Sequence, residues 1–354
     1  MIIKKGIQKL IHKSNLTYAE SQEIMKKIMV GEATNSQITA ILIGLRMKGE
    51  TVTELKAFTE IMRKNCQQIK PIVKGRLVDT CGTGGDRIKT FNISTAAAFV
   101  IAGAEIAVAK HGNRSVTSKS GSADVLEQLG LNLKMTTDTV KKTIEQIGIG
   151  FMFAPVFHPA MRYAVKPRKE ISVRTAFNLL GPLTNPASAD AQLIGVFNPN
   201  LTEVIANVLN GLGCKEAMVV HGLDGLDEIS TIGKTIISWL KENKVKTFHV
   251  SPSDFKIKKA LIREIRGTDP KESAKVLFNI LYGKDDISDP KTQIVLVNSA
   301  AGIIVGGKAD DFISGIEIAK ESIKSGAAYK KLKELIQKSN GDLTKLEELE
   351  LKIG

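Results

Sequence analysis

Apolar positions recur every three or four residues through IQKLIHKSN, YAESQEIMKKIMVG, SQITAILIGLRMKG and TVTELKAFTEIMRKN, which predicts helices from residue 1 to about 70. Thr17 followed by Glu20 reads as a capping box, and Thr51 or Thr53 opens the helix through ELKAF in the same way. Gly31 and Gly49 read as helix stops. The pattern is that of a small helical bundle with short connections. Lys70-Pro71 ends it, and the periodicity changes. LVDTCGTGGD predicts a strand running into a glycine turn, NISTAAAFVIAGA a buried helix, IAVAKHG a second strand and SGSADVLEQLG a further helix. A helix from Thr137 to Ile147, the strand GFMFA, the strand AQLIGVF, the helix LTEVIANVLNGLG and the strand EAMVVHG continue the alternation. Strands alternating with helices predict an α/β fold with a largely parallel sheet.

The stretch from Arg168 to Leu180 interrupts the alternation with helical spacing and is expected to pack back on the first bundle. ISTIGKTIISWLKENKVKTFHVSPSDF reads as strands and turns. VLFNILYG, TQIVLVNSAAGIIVGG and DFISGIEIAKESIKSGAAYKKLKELIQKS close the chain as helices, with room for one more strand. The apolar run from Ile93 to Ala109 is broken by Glu105 and falls short of the roughly 20 residues of a membrane span. MIIKKGIQKLIHKSN has lysines but no long apolar core, so no secretory leader is expected. Cys66, Cys81 and Cys214 are odd in number and far apart, which argues against a disulfide framework or a zinc site and for a reducing, cytoplasmic setting.

The net charge of +13 admits two partners, a nucleic acid or a small polyanion. The lysines are scattered over helix faces as in IMKKI and TVKKTI, and few aromatics lie among them, so a base-stacking platform is not expected.

Four motifs carry chemistry. Asp79-Thr-Cys-Gly-Thr-Gly-Gly-Asp86 lies between a strand and a helix, where glycines let backbone N–H groups approach a ligand. The helix start Asn92-Ile-Ser-Thr95 offers hydroxyls and amides to an anion. The string is neither a Walker loop nor a dinucleotide fingerprint. Lys110-His-Gly-Asn-Arg-Ser-Val-Thr-Ser-Lys-Ser-Gly-Ser-Ala-Asp124 follows a strand and is dense in cations, hydroxyls and glycines, as a phosphate-rich ligand requires. In Asp224-Gly-Leu-Asp-Glu-Ile-Ser230, the adjacent carboxylates Asp227 and Glu228 suit a hard divalent cation that also carries substrate oxygens. The fourth string runs from His158-Pro-Ala-Met through Pro167-Arg168-Lys-Glu to Arg174-Thr-Ala-Phe-Asn-Leu-Leu-Gly-Pro-Leu-Thr-Asn-Pro186. It supplies planar arginines for a carboxylate and an apolar, proline-rich surround for an aromatic ring. No Ser/His/Asp or Cys/His triad is legible.

Taken in order, and with the late SAAGIIVGG and SIKSGAAYKKL, these strings resemble the anthranilate phosphoribosyltransferase family over nearly the whole chain. The resemblance implies a nucleoside phosphorylase/phosphoribosyltransferase-like fold: a small all-helical domain (1–72 with 168–186) and a larger α/β domain (73–167 with 187–354), with the active site at the hinge. It implies a homodimer formed through the helical domains. It implies transfer of the 5-phosphoribosyl group from phosphoribosyl pyrophosphate to the amine of anthranilate, in tryptophan biosynthesis, with Mg2+. By resemblance, Gly82, Gly85, Asp86, Thr90, Asn92, Ile93, Ser94 and Thr95 bind phosphoribosyl pyrophosphate. So do Lys110, His111, Gly112, Asn113, Arg114, Ser115, Ser118 and Ser122. Ser94, Asp227 and Glu228 match the metal positions. Gly82, Asn113 and Arg168 match anthranilate contacts, and His111, His158 and Pro182 the wall of its access channel. No catalytic acid or base is assigned. The chain departs from the family's pattern in one place: Pro167 directly precedes Arg168, where the family commonly has one residue between them.

A pyrimidine nucleoside phosphorylase of the same superfold is the neighbouring reading. KHGNRS and the Asp-Glu pair suit pyrophosphate and magnesium better than inorganic phosphate. A nucleic-acid-binding relative without enzyme activity is the reading from a different class; the glycine loop, the carboxylate pair and Arg168 favour the enzyme.

Overall fold

The computed structural model describes residues 1–84, 88–115 and 120–352. Four helices open the chain: α1 (Ile2–Ile11), α2 (Tyr18–Met29), α3 (Asn35–Lys48) and α4 (Val52–Lys64). Thr17, Thr34 and Thr51 each close a capping box with Glu20, Gln37 and Glu54. Thr51, rather than Thr53, is therefore the cap of α4. Gly31 (φ +80°) and Gly49 (φ +92°) sit just past α2 and α3 in backbone that only glycine adopts at low cost.

Glu54 does more than cap. Its side chain is fully buried, accepts the N–H groups of Leu16 (2.9 Å) and Thr51 (2.9 Å), and meets Lys48 Nζ at 3.0 Å. One carboxylate thus ties the starts of α2 and α4 to the end of α3.

The strands and helices then alternate: β1 (Leu77–Gly82), α5 (Ile93–Gly103), β2 (Ala107–Gly112), α6 (Ser122–Gln128), α7 (Thr137–Ile147) and β3 (Ile149–Phe153). After the short α8 (Ala154–Phe157) come α9 (Arg162–Ile171) and α10 (Ala176–Leu183). As the spacing predicts, α9 packs on α2 and α3, and α10 on α3 and α4. The chain returns with β4 (Ala191–Gly195), α11 (Leu201–Gly211) and β5 (Glu216–Gly222), and then makes the hairpin β6 (Thr235–Lys241) and β7 (Lys244–Val250).

The sheet order is β3-β2-β1-β4-β5-β6-β7; the first five strands are parallel and the last two antiparallel. Strand order reverses between β1 and β4. In an open α/β sheet, the carboxyl ends at such a reversal leave a crevice for a ligand.

From Val250 onward the described chain is helical: α12 (Ile262–Ile265), α13 (Pro270–Tyr282), α14 (Pro290–Val305), α15 (Phe312–Lys324), α16 (Ala327–Lys338) and α17 (Thr344–Glu350). The extra strand that the sequence left room for is absent among the described residues. TQIVLVNSAAGIIVGG, for all its β-branched residues, forms α14. Asp289 caps that helix by accepting the N–H groups of Lys291 and Thr292, Pro290 sits at its first position, and nearly every side chain is buried. A helix apolar on all sides is a core helix. It lies against α5 and α15. No helix of the described residues is long and apolar enough to cross a membrane.

Removing the Glu54 carboxylate leaves a buried Lys48 ammonium and two N–H groups without their acceptor. Glu54→Ala should lower stability by about 3–5 kcal/mol in chemical denaturation. Lys27→Ala, which breaks exposed pairs with Glu23 and Glu32, should leave the midpoint unchanged. Equal effects would contradict the assignment of Glu54 as the tie within the bundle.

Candidate active site

The described residues form a cavity of about 310 Å³ at the carboxyl ends of β1 and β2, against the turn that follows β5. β1 and β4 end in paired glycines, Gly82 and Gly195. A Cβ built on Gly195 would lie 1.5 Å from the Asp227 carbonyl oxygen, and one on Gly82 would lie 2.7 Å from Asp227 Oδ2. Only glycine lets the 224–230 turn press this closely on the strand ends. Asp227 Oδ2 in turn accepts the N–H of Gly84 at 2.9 Å. Thr83 donates its N–H to Gly195 O (2.8 Å) and accepts that of Phe197 (3.1 Å). The first half of the glycine loop is therefore held at several points.

The carboxylate turn is braced from behind. Asp224 accepts from Ser230 Oγ and from the N–H of Leu226. Asn298 of α14, fully buried, accepts the Ile229 N–H (2.9 Å) and donates to the Ile229 carbonyl (3.0 Å). Sequence reasoning missed Asn298, because a lone polar residue inside an apolar run carries no motif. Asp227 and Glu228 are only 9% and 8% exposed, yet both line the cavity together with Ser94. No group of three or more His, Cys, Asp and Glu residues suited to a metal occurs among the described residues. Two carboxylates and a hydroxyl are hard oxygen donors, and they fit magnesium when ligand oxygens and water complete its shell.

Asn92, Ile93, Ser94 and Thr95 bring the N-terminus of α5 to the cavity, and Thr90 lies beside them. Among the described residues, Thr95 Oγ1 is buried without a partner, an acceptor and donor held ready at the helix end. Lys110, at the end of β2, is 3% exposed and spends one of its three N–H donors on Thr80 O (2.6 Å). Burial pushes its pKa down, and the charge of Asp79 opposes that shift.

His111, Gly112, Asn113, Arg114, Ser115 and Ser122 also line the cavity. Asp124 closes this segment on itself by accepting the N–H groups of Ser115 (2.9 Å) and Gly121 (3.0 Å). The Arg114 guanidinium is forked onto Glu127 at 2.7 and 2.8 Å and also reaches Asp124 at 3.0 Å. Its charge is matched within the protein. Gly85, Asp86 and Ser118 lie outside the described residues.

The opposite wall is formed by Arg168, Phe177, Asn178, Gly181 and Pro182. Pro167 sits inside α9, and the helix runs through it, so its adjacency leaves Arg168 on the cavity. The Arg168 guanidinium lies 5.4 Å from the Phe177 ring centre. Burial lowers its pKa, but a guanidinium stays charged at any working pH. Phe177 and Asn178, within the Arg174–Pro186 string, line the cavity beside Pro182, although no motif marks them.

His158 does not line the cavity. It backs His111, with ring centres 5.0 Å apart and planes tilted by 48°. Burial holds His111 down to about 3, helped by His158 and opposed by a hydrogen bond to the Gly181 backbone. Burial likewise holds His158 down to about 4 against a backbone bond to Thr184. Both rings are neutral, so this wall is uncharged.

Residues 74–329 match the model of a glycosyl transferase family α/β domain, and residues 4–66 match that family's helical bundle domain. Curated relatives named anthranilate phosphoribosyltransferase include one from Petrotoga mobilis, 47% identical over 94% of this chain and 96% of its own length. Another, from Methanocorpusculum labreanum, is 50% identical over 96% and 99%. Among solved structures, the anthranilate phosphoribosyltransferase of Thermus thermophilus superposes with a TM-score of 0.88 at 36% identity, covering 95% of this chain and 99% of that one. The Saccharomyces cerevisiae enzyme in complex with PRPP and Mg gives 0.87 at 28% identity, covering 96% and 98%. With both domains matched and relatives this similar along nearly their full length, the chain belongs to the anthranilate phosphoribosyltransferase family.

Proposed function

We propose that the cavity at the β1–β4 crevice is where this chain carries out its reaction, and we assign its residues accordingly. The chain transfers the 5-phosphoribosyl group of phosphoribosyl pyrophosphate to the amine of anthranilate, giving N-(5-phosphoribosyl)anthranilate and pyrophosphate in tryptophan biosynthesis. The observation that carries the site assignment is the meeting, in one cavity, of an anion-binding face and an arginine-and-aromatic face.

Anthranilate's amine is a weak nucleophile. The N–C1 bond forms as the C1–O bond to pyrophosphate breaks, that electron pair leaves with pyrophosphate, and the nitrogen releases one proton to solvent. Positive charge gathers on the ribosyl carbon and ring oxygen, and negative charge on the leaving group. Stabilising that charge and positioning the two reactants are the protein's tasks. The Gly82–Gly84 backbone, the Asn92–Thr95 helix start and Lys110 bind phosphate oxygens. Asn113, Ser115 and Ser122 add donors from the second loop. Arg168 takes the anthranilate carboxylate, Phe177 and Pro182 flank the ring, and Asn113 and Gly82 lie where the amine meets the sugar. Magnesium is the cofactor; it supplies countercharge to the departing pyrophosphate. Asp227, Glu228 and Ser94 would hold it.

We place the division of domains at 1–72 with 168–186 and 73–167 with 187–354, because α9 and α10 pack on the first bundle. A second copy would pair through the helical part, where Ile11, Val30 and Met47 are exposed. The reaction is assigned to the cytoplasm.

Anthranilate fluorescence in a mixture with phosphoribosyl pyrophosphate and magnesium should fall only when all components are present, and EDTA should stop it. In the same assay, Arg168→Ala should raise the apparent KM for anthranilate about 30-fold, the loss of a charged hydrogen-bond pair of about 2 kcal/mol. The KM for phosphoribosyl pyrophosphate should change little. Equal effects on both would remove Arg168 from the carboxylate role.

The histidine wall predicts a pH effect on stability. Both folded-state pKa values, about 3 for His111 and about 4 for His158, lie below the ordinary value of 6.5. The unfolded chain therefore binds more protons below pH 6.5, and stability is full above that pH and lost as pH falls toward 4. Each ring should cost about 2 kcal/mol between pH 7 and pH 5. Denaturation midpoints of a His111→Gln, His158→Gln double variant should fall less steeply over this range; an unchanged slope would contradict the burial of neutral rings.

A further inference from the structure

We propose that Asp79 is a positioning residue that keeps the two walls of the cavity in register, holding the His111 backbone directly and the Pro182 carbonyl through Gln192. The proposal rests on the assignment of the phosphoribosyl and anthranilate walls given above.

Asp79 lies in the middle of β1 and is completely buried. Its Oδ1 accepts the N–H of His111 at 3.2 Å, at the end of the strand that carries Lys110. Its Oδ2 accepts Asn185 Nδ2 at 2.7 Å and Gln192 Nε2 at 3.4 Å. Gln192 Nε2 is shared with the carbonyl of Pro182, at 3.0 Å. Asn185 Nδ2 is shared with the carbonyl of Ala109, at 2.8 Å, next to Lys110. The carboxylate therefore sits at one centre with two arms. One reaches the β2 segment that faces phosphate, and the other reaches the α10 segment that faces the aromatic ring.

The orientation of Gln192 supports this assignment. Its Oε1 is buried without a partner, while its Nε2 serves two acceptors. Turning the amide over would place Oε1 against a carboxylate and a carbonyl and forfeit both bonds. Asp79 and Pro182 together fix the amide, and the stranded oxygen is the cost. Burial raises the Asp79 pKa, but the Lys110 charge and the donors from Asn185, His111 and Cys81 oppose the shift. A carboxyl held in this way belongs to a connected network in which each member restrains the next.

A purely structural carboxylate would, when its network is cut, lower stability and leave substrate discrimination alone. A positioning residue changes the balance between the two substrates. Gln192→Leu cuts only the arm to Pro182. It should raise the KM for anthranilate about tenfold while leaving that for phosphoribosyl pyrophosphate within about twofold, with the melting midpoint retained. Asp79→Asn keeps one acceptor oxygen but sets an amide NH2 against the donors at the other, so one arm is lost and at least one KM value should rise. A Gln192→Leu enzyme with both constants unchanged, or with both raised equally, overturns the proposal. If that variant does not fold, Asp79→Asn decides: unchanged constants overturn the proposal, and a rise in either supports it. The unmodified protein is measured alongside. Its failure to turn over would overturn the function assigned above, whereas equilibrium binding of anthranilate, followed by its fluorescence, would still report the register of the walls.

Discussion

The Asp227 carbonyl pressed against Gly195 is the contact on which the rest of the site depends. It leaves no room for a Cβ at the end of β4, and the carboxylate of the same residue leaves little at the end of β1. The turn carrying Asp227 and Glu228 is thereby placed over the point where strand order reverses. From the other side it is held by Asn298, deep in the apolar core. A flexible, solvated pair of carboxylates becomes a fixed feature of the crevice. The glycine loop is bound to that feature through the Gly84 N–H, so the loop backbone and the acidic pair form one unit.

The remaining charges are arranged around this unit. Lys110 is buried, Arg168 is largely so, and Asp79 is buried below both walls. Charges in such surroundings act more strongly than they would on a surface. They are also costly to hold, and each is compensated within the protein or faces the cavity. Arg114 shows the opposite case: Glu127 and Asp124 match it, so its part is to shape the loop. The neutral histidine wall fits the same economy, since an uncharged ring behind the cavity adds no competing cation near Arg168.

Much of this was legible in the sequence because the relevant signals are local. Thr17 and Glu20, the alternation of strands and helices after Pro71, and the Asp227-Glu228 pair can each be read from short spacing. What could not be read depends on long-range contacts. Asn298, Asn185 and Gln192 are single polar residues in apolar or turn segments, and only folding brings them to Asp79 or to the carboxylate turn. TQIVLVNSAAGIIVGG forms α14 although β-branched residues favour strands, because its cap at Asp289 and its burial on all sides decide for helix. His158 could be placed near the acceptor side, but whether it faces the cavity or backs His111 depends on ring packing. Pro167 directly before Arg168 departs from the family's spacing, yet the helix runs through it and the arginine keeps its place on the cavity.

The most direct measurement is the turnover of an Asp227→Ala, Glu228→Ala double variant over a full magnesium titration, with its melting profile recorded. The account predicts a rate about a thousandfold lower, since the countercharge at a leaving group is worth several kcal/mol. Added magnesium should not restore it, and the protein should remain folded. A folded double variant turning over at the unmodified rate would contradict the account.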